Sequence, residues 1–65
     1  GATEAGTVEV KKDARVEWWA KTVNGKQTII AVNTSEDEFE AAIPIPGQEP
    51  TTMTFKRYEV KVITP

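Results

Sequence analysis

The chain has 65 residues, a formal net charge of -2 and a pI near 5.0, with neither cysteine nor histidine. Those absences exclude disulfide staples, thiol nucleophiles, His-based triads and nitrogen- or sulfur-ligated metals. The scattered lysines and arginines argue against nucleic acid and anionic membrane partners, and no apolar run approaches the roughly 18 residues of a membrane helix.

In chain order, Gly1 has the character of a cloning remnant and residues 1–6 read as a flexible lead-in, leaving 7–65 as a single domain. A first strand is expected over Thr7–Lys11, with Val8 and Val10 on one face, ending at a Lys12-Asp13 turn. A second runs over Ala14–Val23 with Val16, Trp18, Ala20 and Thr22 on one side, and Asn24-Gly25 follows as a strong hairpin signal. The third, Gln27–Asn33, holds the continuous apolar run Ile29-Ile30-Ala31-Val32 of a strand covered on both faces.

Thr34–Glu38 is a polar turn. Phe39, Ala41, Ile43 and Ile45 then alternate with Glu40, Ala42, Pro44 and Pro46, a period of two. Ser35 and Glu38 could form a helix capping box, but the prolines at 44 and 46 exclude a helix of any length and suit an edge strand. Gly47–Thr52 reads as a loop. In Met53–Thr64 the apolar parity switches from Met53/Phe55 to Tyr58/Val60/Val62, so a bulge or corner is expected near Lys56-Arg57. The pattern is that of an all-β domain, a small antiparallel β-sandwich of five to six short strands without significant helix.

The hairpin decides the standing of the adjacent tryptophans, Trp18 and Trp19, which a strand must point to opposite faces. A two-residue loop would set Trp18 opposite Ala31, Trp19 opposite Ile30 and Val16 opposite Asn33, mixing core and polar residues on each face. A three-residue loop with Gly25 left-handed would set Val16 opposite Val32 and Trp18 opposite Ile30, giving one apolar face. Burial favours the second. The structural residues are then Val16, Trp18, Ile30, Val32, Gly25, Phe55 and Tyr58. Trp19 would lie opposite Ile29, flanked by Glu17 and Lys21, as a small apolar patch in a charged frame and a candidate contact site.

No residue is assigned a catalytic, cofactor-binding or metal-binding role. The carboxylates, including Glu17 and Glu59, read as solvated, and Glu36-Asp37-Glu38 lacks the spacing that wraps one cation. Asn33-Thr34-Ser35 matches a glycosylation sequon, but Asn33 more simply bonds its own backbone in an Asx-type turn.

Residues 15–34, "RVEWWAKTVNGKQTIIAVNT", with "EAAIPIP" and the closing "FKRYEVKVIT", resemble the small C-terminal all-β domains of TIM-barrel glycoside hydrolases. The matching positions are Val32, Asn33, Thr34, Phe55, Tyr58, Glu59 and Val60, and the short Pro46–Phe55 segment departs from that pattern. The resemblance implies a non-catalytic accessory domain, from a secreted or cell-surface bacterial carbohydrate-active parent, that packs against a catalytic domain through Trp19 and its neighbours. An alternative is a carbohydrate-binding module in which Trp19 stacks on a sugar while Glu17 and Lys21 bond its hydroxyls. A third is a protein-interaction module that uses an exposed strand edge.

Overall fold

A computed structural model describes residues 4–64 of the chain. The strands are β1 (Glu4–Lys11), β2 (Ala14–Val23), β3 (Lys26–Asn33), β4 (Phe39–Ile43), β5 (Thr51–Phe55) and β6 (Val60–Ile63), and no helix occurs among the described residues. They form a four-stranded antiparallel sheet, in the order β1-β2-β3-β6, and a two-stranded β4-β5 sheet laid across it. The all-β, sandwich-like architecture follows from the sequence pattern: short period-two segments, each ended by turn residues. β2, with ten residues, is the longest of these strands.

β1 starts at Glu4 rather than Thr7, so residues 4–6 of the expected lead-in are strand, while residues 1–3 lie outside the described residues. Glu4, Ala5 and Gly6 have little strand propensity, but they pair with Ala20, Trp19 and Trp18 of the long β2. At Gly6 a Cβ would come within 2.8–2.9 Å of the Trp18 indole, so glycine leaves the ring its place. A bulge between Glu9 and Lys11 turns Val10 outward, and only Val8 packs against the core.

The β2–β3 turn overturns the expected register. Asn24 and Gly25 both have positive φ, 51° and 78°, the requirement of a two-residue type I′ turn, and Val23 pairs with Lys26. Trp18 therefore faces Ala31, Trp19 faces Ile30 and Val16 faces Asn33. The inner face carries Val16, Ala20, Ile29 and Ala31, whereas Ile30 and Val32, expected in the core, are half-buried on the outer face. The burial criterion misjudged the register because it treated Asn33 as a surface residue. Asn33 is fully buried and its amide group is bonded on both sides.

Those bonds tie three segments together. The Asn33 Nδ2 donates to the carbonyls of Asp37 (2.8 Å) and Lys56 (2.9 Å), and its Oδ1 accepts from the Ser35 amide (2.9 Å) and hydroxyl (2.8 Å). The Ser35 amide bond is the expected Asx-type turn. It links the end of β3 to the following loop, while the Lys56 bond reaches the corner between β5 and β6.

From the second sheet, Phe39, Ala41, Ile43, Met53 and Phe55 turn inward, and Ile45 follows just beyond β4. Phe39–Ile43 is thus strand, as its period of two indicated. Phe55 is fully buried and contributes about 2–3 kcal/mol by removal from water. The chain crosses from the second sheet to the first at Lys56-Arg57-Tyr58, the corner expected from the parity switch. Tyr58 has φ 51° there and is 53% exposed, so it serves the corner rather than the core.

Candidate functional site

Two surfaces of the four-stranded sheet carry features that core packing does not use. The first is its outer face. Trp19 and Ile30 are directly opposite each other across β2 and β3, and Ile30 and Val32 in turn face Val62 and Val60 of β6. Trp19 is 41% exposed, Val60 59% and Val62 67%, so this apolar stripe crosses three strands without cover from any described residue. Half-buried Glu17 and exposed Lys21 flank Trp19 on β2, as the sequence led one to expect. Ile29 does not belong to this patch: the type I′ register sends it to the inner face, where it is 1% exposed.

Val60 and Val62 were not among the expected contact residues: the parity switch grouped them with Tyr58, which was expected to be structural. The inward residues of β6 are instead Lys61 and Ile63, opposite Ala31 and Ile29. The Lys61 ammonium sits 5.3 Å from the centroid of the Phe55 ring and 3.3 Å from Glu59 Oε2. An inward-pointing charge on an edge strand is a recognised guard against edge-to-edge pairing, so this edge is poorly suited to strand addition.

The second surface is a cleft of about 440 Å³ at one end of the inner face. It arises from a mismatch in length. β2 and β3 have ten and eight residues, whereas β4 and β5 have five each and cover only part of the sheet. The cleft is lined by Trp18, Ala20, Ile29, Pro44, Ile45 and Pro46, with the polar residues Glu4, Lys21, Thr22 and Gln27 around them. Trp18, expected as a core residue, is half-buried: its indole packs against the core and also lines this opening. Nothing in the spacing of Glu4, Gln27 and Pro46 announces the cleft, because it depends on which strands are left uncovered.

The remaining polar features are structural. Glu59 accepts a 2.8 Å hydrogen bond from the Lys56 amide through Oε1, and this bond, with the Lys61 ammonium, holds its carboxyl below the ordinary value. Asp37 and Glu36 form exposed ion pairs with Lys11 and Arg57 at 3.3 and 3.6 Å. Among the described residues, no group of three or more Asp or Glu side chains is placed to hold a metal ion. The Asn33 sequon is engaged in the fold, its Nδ2 fully used.

Compared with protein-family models, curated proteins and solved structures, the chain matches none. The likeness to glycoside hydrolase accessory domains therefore stands on the quoted residues alone.

Proposed function

We propose that this is a non-catalytic accessory β-sandwich domain that packs against a neighbouring folded domain of a larger carbohydrate-active protein through the outer face of its four-stranded sheet. The observation that supports the reading is the stripe Trp19-Ile30-Val32-Val60-Val62, which is apolar, contiguous and uncovered. A sheet needs one apolar face to fold. A second one costs solubility and is characteristic of a surface that meets another body. An apolar stripe spread across three strands of an open sheet face suits a protein partner better than a small ligand, which needs concavity. The carbohydrate-active parent rests on the sequence resemblance.

Amide hydrogen exchange tests the assignment. It compares these residues alone with the same residues inside the longest polypeptide that naturally carries them. In the longer protein, amides of Trp19, Val60 and Val62 should exchange about tenfold more slowly, and Trp19→Lys should abolish that protection while leaving the isolated domain folded. Equal exchange in both settings, or a natural polypeptide with no second domain, would overturn the reading.

A further inference from the structure

The cleft at the uncovered end of the inner face is separate from the outer stripe and does not depend on its role. Its volume of about 440 Å³ falls within the range of small-molecule sites. The walls combine one half-buried indole, two prolines and the aliphatic groups of Ala20, Ile29 and Ile45 with a polar rim. Glu4 brings a hydrogen-bond acceptor, and Thr22 and Gln27 can each donate and accept, whereas the Lys21 side chain belongs to the outer face with Trp19. The Glu4 carboxylate on the rim disfavours an anionic ligand and can accept hydrogen bonds from a neutral one.

The chemistry that answers such a site is a neutral molecule with an apolar face and a perimeter of groups that donate and accept together. A pyranose ring has that form: its C–H face packs on an indole, and its hydroxyls serve as both donors and acceptors. A polyproline peptide also favours aromatic grooves, but it seats its turns between several aromatic ridges, and this cleft contains one aromatic side chain. The Trp18 placement is itself built into the fold. Gly6 on the neighbouring strand leaves the indole a berth that any side chain would close to 2.8 Å.

We infer that the Trp18 cleft is a binding site for a neutral saccharide unit. The indole provides the apolar platform, and Glu4, Thr22 and Gln27 bond the ring hydroxyls. Trp19, the residue that sequence spacing singles out for this role, lies on the opposite face of the sheet.

The test uses the Trp19→Phe variant, in which Trp18 is the sole indole. It is titrated to about 10 mM with cellohexaose, maltohexaose, xylohexaose and chitohexaose, and separately with decaproline, following fluorescence and amide chemical shifts. One or more of the saccharides should produce a saturable response confined to Glu4, Ala20, Thr22, Gln27 and Ile45. Gln27→Ala, a change at an exposed position, should weaken it about tenfold with the melting temperature unchanged. The inference fails if none of the saccharides shifts these residues, if decaproline alone does, or if the shifts gather around Val60 and Val62.

Discussion

The inner and outer faces of the four-stranded sheet draw on nearly the same side chains, yet only one of them makes the core. Ile29 and Ile30 are consecutive and chemically identical; one is 1% exposed beneath β4 and β5, and the other lies half-buried on the open side opposite Trp19. Hydrophobicity did not choose between them. The choice was made by the turn, since Asn24-Gly25 accepts positive φ at both positions, and by a buried asparagine that could be fully bonded. In a sheet with two apolar faces, local backbone chemistry and polar satisfaction can outrank the count of apolar residues on a side.

The largest expected effect comes from truncating the two isoleucines in turn. Ile29→Ala should cost about 3–4 kcal/mol, because it opens a cavity among Ala20, Ile43 and Phe55 in the core cluster. Ile30→Ala should cost about 1 kcal/mol, since the side chain keeps water on one side. A domain of this length holds roughly 3–10 kcal/mol in total, so the first variant approaches unfolding and the second remains folded in a urea titration. Equal losses would show the faces to be equivalent, and a reversed order would restore the three-residue loop.

Much of the fold was legible in the sequence because its signals were local. The β2 boundaries, the strand at Phe39–Ile43 and the corner near Lys56-Arg57 followed from period, proline placement and a parity switch. Pairings across sequence distance were not legible. Glu4–Gly6 became strand through β2 rather than through their own propensity, and Val62 was left outside by the β6 register, which sets it opposite Ile30 on the outer face. Of the candidate site, Trp19 with Glu17 and Lys21 shares a face as expected, whereas Ile29 does not. The cleft was invisible, since it exists only where ten-residue and five-residue strands end at different points.

Asn33→Ala probes the second half of the comparison, the polar group that lets this inner face close. It leaves the Asp37 and Lys56 carbonyls and the Ser35 amide and hydroxyl without their partner. The expected loss is about 3 kcal/mol, below that of Ile29→Ala only because the alanine hole lies beside a loop that can admit water. Urea midpoints measure it. A loss under about 1 kcal/mol would show that the register is held by the type I′ turn alone.

The smallest effect concerns Glu59, which braces the corner where the chain passes from one sheet to the other. Its carboxylate accepts the Lys56 amide hydrogen bond and faces the Lys61 ammonium, and both favour the charged form, so its folded pKa lies below the ordinary 4.5. A depressed carboxyl pKa contributes stability that is fully present above the unfolded value and is lost as pH falls through the folded one. The wild-type domain should therefore lose this increment on acidification below 4.5, whereas Glu59→Gln, uncharged throughout, should start lower and show a shallower acid limb. Melting temperatures of the two proteins across that interval check the sign. The curves should converge toward low pH, and parallel curves would mean that the Lys56 bond is open in solution and that the corner is braced by Asn33 and the Ser35–Tyr58 backbone bond instead.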